Sequence, residues 1–177
     1  MMTATMEPVP VDAAERFRIL PSGVKIARLG SGDQGWLVEF RQILEIAAAD
    51  FLKRAHQAGT VAGVIDDLDR ALEHPHQAVW VVVDPAFRLR GFALAEIRAG
   101  EFGGPPRAFV QAAYLYPKRT PRSVLPALTQ AILAWAGTHG ATELGFQTRR
   151  SAARAWQRVG ATAVATLYTM PVPQTGA

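Results

Sequence analysis

One loop gathers the side chains best suited to an anion. Residues 117–123 read PKRTPRS, with Lys118, Arg119 and Arg122 close together between a strand-like FVQAAYLY and a helix-like VLPALTQAILAWAGTH. Guanidinium groups pair bidentately with phosphate or carboxylate. If Ser123 caps the helix, Pro126 falls third in it, where a missing N–H removes no hydrogen bond. The amides of Val124 and Leu125 are then expected to be free for an anion, with the helix dipole in support. Glu96, inside LRGFALAEIR, is the candidate general base; its plainer reading is an exposed strand carboxylate. Tyr114, Tyr116 and Tyr168 can donate a proton or simply pack. Asp66, Asp67, Asp69 and Glu73 crowd one segment, but Asp67 points away from the face shared by Asp66 and Asp69, so a solvated helix face is expected rather than a metal cluster. His74-Pro75-His76 offers two imidazoles without a third ligand nearby and reads as a helix-ending turn. No metal site is expected.

The elements that must hold these groups follow from periodicity. Residues 1–23 are Pro-rich and polar and are expected to form a flexible arm. VKIARL (24–29) reads as a strand. Asp33 is placed to cap a helix reaching about Gln57, with Trp36, Phe40, Ile43, Leu44, Ala47 and Phe51 on one stripe. Thr60 caps a second helix, with Val61, Val64, Ile65, Leu68 and Leu72 inward. AVWVVVD (78–84) and LRGFALAEIR (89–98) read as an antiparallel hairpin, and 107–116 as a third strand. Gly140 ends the helix that follows the basic loop. TELGFQT (142–148), a short helix capped by Ser151, and ATAVATLYTM (161–170) complete the order β-α-α-β-β-β-α-β-α-β, with 171–177 as a tail. This is an α/β (α+β) chain with one domain over 24–170, built on a mixed sheet flanked by helices. Ligands in such sheets sit at carboxyl ends of strands where the order changes.

The bulk properties narrow the classes. The chain has 177 residues, 49% hydrophobic, and no cysteine. It can bury a core but cannot carry a disulfide scaffold or a thiol nucleophile. No apolar run approaches the roughly 20 residues that span a bilayer, and no membrane partner is expected. Acids and prolines stand where a secretion signal has basic residues and an apolar block, so a cytoplasmic protein is expected. Charge is uneven. Of the 15 acidic residues only Glu143 lies beyond residue 101, against eight Lys and Arg there. An anionic partner accounts for this, whether a phosphorylated cofactor, nucleic acid or an acidic protein surface; a solvated basic face accounts for it as well.

Over residues 24–170 the chain resembles the GNAT superfamily of acyl-CoA-dependent N-acyltransferases. The hairpin VWVVVDPAFRLRGFALAEI resembles its strands two and three. YLYPKRTPRSVLPALTQAILAWAGTHGATELGF resembles its strand four, pyrophosphate loop, third helix and fifth strand. SAARAWQRVGATAVATLYTM resembles its last helix and strand. The segment 58–84 and TRRSAARAW are also similar to GNAT-like proteins of bacteriophages. The resemblance implies acetyl-CoA as cofactor, its pantetheine along the strand backbone at Leu115 and Tyr116. Its pyrophosphate is then held by Lys118, Arg119, Arg122, Ser123 and Val124. The family's loop motif begins at Thr120, and Ser123 and Leu125 stand at its two small positions. Trp156 occupies the place of the family's acidic tyrosine, and Glu96 is the base. The implied activity is acetyl transfer to a small-molecule or protein amine. The alternative is a catalytically degenerate GNAT-fold module that binds a protein assembly, such as a phage particle, or nucleic acid through its basic half.

Overall fold

The computed structural model describes residues 17–55, 59–100, 103–116, 120–146, 154 and 156–162. Its sheet places six strands in sequence order: β1 Phe17–Ile19, β2 Lys25–Leu29, β3 Gln77–Val83, β4 Leu89–Arg98, β5 Arg107–Leu115 and β6 Leu144–Phe146. Neighbours from β1 to β5 are antiparallel, and β6 runs parallel to β5. The helices among the described residues are α1 Gln34–Glu39, α2 Arg41–Ala55, α3 Val61–Glu73 and α4 Val124–Thr138. The mixed sheet and the parallel crossover through α4 are as the periodicity implies. The final strand expected over 161–170 falls almost wholly outside the described residues.

The sheet carries a core on each face. On one face α1, α2 and α3 bring Leu37, Phe40, Leu44, Ile65 and Leu68 against Val79, Val81, Phe92 and Leu94. On the other, α4 lays Leu128, Ile132 and Trp135 over Ile26, Trp80 and Val82. The alternation along β3 sends Val79 and Val81 one way and Trp80 and Val82 the other. This is why residues 78–83, AVWVVV, are apolar without interruption. Burying one such side chain stabilises the fold by about 2 kcal/mol, so β3 anchors both layers. Gly91 is required by packing: a Cβ there would meet the Tyr114 carbonyl oxygen at 2.3 Å.

Three expectations need correction. The stretch read as an arm contains β1, which pairs with β2 from Phe17↔Ala27 to Ile19↔Lys25. Three residues are too few to show a period. The helix expected from Asp33 is two helices, broken at Phe40, whose φ of −93° and ψ of 4° leave the helical region. The apolar stripe survives, because Phe40 N–H still donates to Trp36 O and Leu44 N–H to Phe40 O. Asp33 does not cap α1 with its side chain; its Oδ2 accepts from the Gly30 N–H at 2.8 Å, tightening the turn before it. Thr60 does cap α3, its Oγ1 accepting from the Gly63 N–H at 3.0 Å. Gly140 ends α4 at φ +71°, with Ala141 N–H donating back to Ala136 O at 3.0 Å.

Candidate active site

Among the described residues, β5 and β6 pair where Ala108–Val110 face Leu144–Phe146. β5 then continues to Leu115, held by β4 on one side. Just past this stretch β5 carries a bulge. Leu94 faces Ala112 and Ala95 faces Val110, so Gln111 is an extra residue in β5, outside the β4 ladder. The sequence carries no sign of it, since VQAA has neither glycine nor proline.

On the face covered by α2 and α3, the bulge borders a recess of about 80 Å³. Phe51, Val64, Leu68, Leu94 and Ala112 form its apolar walls, and Asp67 and Gln111 supply its polar groups. Asp67 is 57% exposed at the side chain and bonded to Arg70 Nη1 at 3.1 Å, so it belongs to the rim.

Glu96 lies two residues past Leu94 on β4, opposite Phe109. Strand alternation puts it on the same face as the recess, about 7 Å along the strand from Leu94. Its side chain is 17% exposed and its Oε1 accepts from Arg98 Nε.

Tyr114 also faces this side. It is buried, and its hydroxyl donates to Asp50 Oδ2 on α2. Burial, and then the Asp50 bond, push its hydroxyl pKa far up. Tyr114 is therefore a tether between β5 and α2 and not an acid near neutral pH. Asp50 moves the other way: the Tyr114 hydroxyl first, then Arg54, hold its carboxyl below its ordinary value. Arg54 Nε donates to the same oxygen at 2.7 Å. The Asp50/Arg54 spacing of four residues is visible in the sequence; its meeting with Tyr114 is not. Tyr116 sets its ring edge-on to Tyr114 at 5.2 Å, and Tyr168 lies outside the described residues.

Beyond β5 the chain turns. Tyr116 N–H donates to Arg90 O at 2.9 Å, and the Thr120 hydroxyl donates to Tyr116 O at 2.8 Å. Backbone groups alternate sides in a strand, so Tyr116 N–H is committed to β4 and Leu115 directs its own backbone groups the other way. Lys118 and Arg119 lie outside the described residues. Arg122 and Ser123 are exposed at the start of α4. Ser123 is the residue before the helix, at φ −70° and ψ −17°, without a side-chain cap bond. The Val124 amide is not free as expected: it donates to Pro121 O at 3.0 Å. Pro121 favours this turn by its fixed φ. Val124 is fully buried. Its side chain anchors the helix start in the core, which periodicity alone does not show.

The remaining candidates separate from this site. His74 follows α3 directly as its C-cap. His76 lies 6.1 Å from His74 and 6.5 Å from His139, ring to ring. No three ligating side chains stand together as a metal-holding group among the described residues. Trp156 stacks on Phe146 at 4.3 Å, a packing role. No helix among the described residues is long and apolar enough to cross a membrane.

The strand order, the parallel β5–β6 pair and the α4 crossover recur in solved acetyltransferase structures. The fold is the GNAT fold. The aminoglycoside N-acetyltransferase AAC(6')-Iy, solved in complex with CoA, superposes with a TM-score of 0.65 at 18% identity, over 86% of this chain and 98% of that one. A probable acetyltransferase gives 0.64 at 14% identity, over 84% and 98%. AAC(6')-Ih from Acinetobacter baumannii gives 0.63 at 14% identity, over 85% and 99%. No family model matches the sequence and no curated protein does. The GNAT fold is thus carried here by packing and topology, at identities where individual site residues are not transferred.

Proposed function

We propose that this chain binds an acyl-CoA and transfers the acyl group to the amine of a small molecule. The observation that carries this reading is the GNAT fold, with a bulge at Gln111 in the strand that leads to the basic loop. On the side of β5 away from β4, Leu115 offers backbone groups to a pantetheine arm. At the end of that path Arg122 and Ser123, with Lys118 and Arg119 of the same loop, supply the pyrophosphate seat. It is a seat of side chains, since Val124 N–H is already bonded. The bound acyl-CoA supplies the activated acyl carbonyl. Glu96 would accept the proton of the amine as the C–N bond forms, directly or through one water, while the C–S bond breaks and CoA leaves as a thiolate that takes its proton from solvent. An aminoglycoside acetyltransferase of the same fold was solved with sisomicin, which supports a polycationic amine as the first acceptor class to assay.

Calorimetric titration with acetyl-CoA tests the reading. Saturable binding that weakens with Arg122→Ala supports it. No heat at millimolar cofactor would sink it. The second reading is a GNAT-fold module without catalysis, serving an assembly such as a phage particle or a nucleic acid. It is favoured by the occupied Val124 amide and by Trp156 packed on Phe146. Absence of acetyl-CoA binding, together with stoichiometric presence in purified particles, would select it.

A further inference from the structure

We propose that the β1–β2 and β3–β4 turns together form a surface for single-stranded nucleic acid, with Phe87 as the platform on which a base stacks. Phe87 is the one exposed aromatic side chain among the described residues, at 56%. Its backbone sits at φ +56°, a region that a bulky residue rarely enters. The turn holds it there. Phe87 N–H donates to Asp84 O at 2.9 Å, and Asp84 Oδ1 fixes the amides of Ala86 and Arg88. Glycine would make this turn with less strain. The chain instead carries at its tip a ring that the core does not use.

Cations surround the ring. Lys25 Nζ stands 4.6 Å from its centroid, and the Arg88 side chain is 68% exposed. The β1–β2 turn is pressed against this one, since a Cβ on Gly23 would meet Pro85 Cγ at 2.8 Å. It brings the exposed Ile19 opposite Lys25. Over residues 17–29 and 79–92, which carry both turns, five Lys and Arg stand against one acid. That acid, Asp84, is buried and held by Arg90, so the exposed charge is positive. A polyanion complements such a surface. A flat ring among cations suits one whose bases are free to stack, as in a single strand. A duplex keeps its bases stacked on one another. A bilayer calls for a wider apolar area than Ile19 and Phe87 supply.

Fluorescence anisotropy of a labelled oligothymidylate of about 12 nucleotides, titrated with the full chain, tests this. Saturable binding is expected. Phe87→Ala should weaken it about tenfold and Phe87→Leu about as much, whereas Phe87→Trp should not, because stacking needs a π-face. Lys25→Ala and Arg88→Ala should each lower the slope of log affinity against log salt by about 0.7. Circular dichroism confirms that each variant is folded. Three results overturn the assignment: no binding at low salt, equal affinity for poly-glutamate or for a duplex of the same length, or an affinity that survives both Phe87→Ala and Phe87→Leu. Acyl-CoA is absent from this titration, so the surface and the cofactor reading stand or fall separately.

Discussion

Two turns lie side by side at one end of the sheet and are built on opposite principles. The β3–β4 turn is satisfied from within. Asp84 Oδ1 accepts from the N–H groups of Ala86 and Arg88, both at 2.9 Å. Its Oδ2 takes the Arg90 guanidinium at 2.5 and 3.0 Å, in a pair only 12% and 16% exposed. The turn from β5 to α4 closes its backbone through Thr120 and Pro121 but leaves Arg122 and Ser123 exposed, with no cap bond from Ser123. One turn spends its charge on the fold, and the other leaves its charge exposed. The contrast predicts which substitutions move stability and which move binding.

The largest effect is expected at Asp84. Asp84→Ala strands Arg90 and removes the acceptor of both turn bonds, so denaturant unfolding should show a loss of about 3 kcal/mol. A loss below about 1 kcal/mol would show that the hairpin does not depend on its carboxylate. The same residue sets an acid limit. Burial acts to raise its pKa, but the Arg88 N–H, the Arg90 guanidinium and the Ala86 N–H together hold it below 3.8. Asp50 is held below the same value. A carboxyl depressed in the folded state contributes stability that is complete above its unfolded value and fades as pH falls through the folded one. Melting temperature should therefore hold through neutral pH and fall below about pH 4. A flat profile down to pH 2 would remove both carboxylates from the account.

Tyr114→Phe is next, at about 1 kcal/mol, because it removes one hydrogen bond and leaves the partly exposed Asp50 its Arg54 partner. Helix starts sharpen the comparison further. Thr60→Ala deletes a cap bond and should lower stability by about 1 kcal/mol, whereas Ser123→Ala should stay within about 0.5 kcal/mol. Equal losses would mean that Ser123 caps in solution. The smallest stability effect belongs to Arg122→Ala. Its signature is a CoA affinity reduced about threefold to tenfold at unchanged melting temperature, as suits one exposed charged contact.

Much of the scaffold was legible because its signals are local. The stripe Phe40–Leu44–Ala47–Phe51 and the uninterrupted apolar β3 announce their burial by period and length. Thr60 and Gly140 mark ends through backbone chemistry confined to a few residues. Signals failed where the deciding partner is remote or the element too short. β1 is three residues long, and Asp33 chose Gly30 over the helix it precedes. At the site, the basic loop and Glu96 were visible as residue types, but their surroundings were not. Arg98 on Glu96 and Asp50 on Tyr114 each require a rotamer or a contact that no spacing specifies.

PKRTPRS with its flanking strand and helix was determined by the sequence alone: alternation, then punctuation, then a 3.6-residue period place basic side chains at a helix start. Tertiary structure decided what that start can do. Core packing draws Val124 inward and Pro121 takes up its amide, so that amide is not free for an anion. The bulge at Gln111 depends on the register between β4 and β5, a long-range property set by both hydrophobic faces at once. It opens the recess that no segment of the chain encodes by itself.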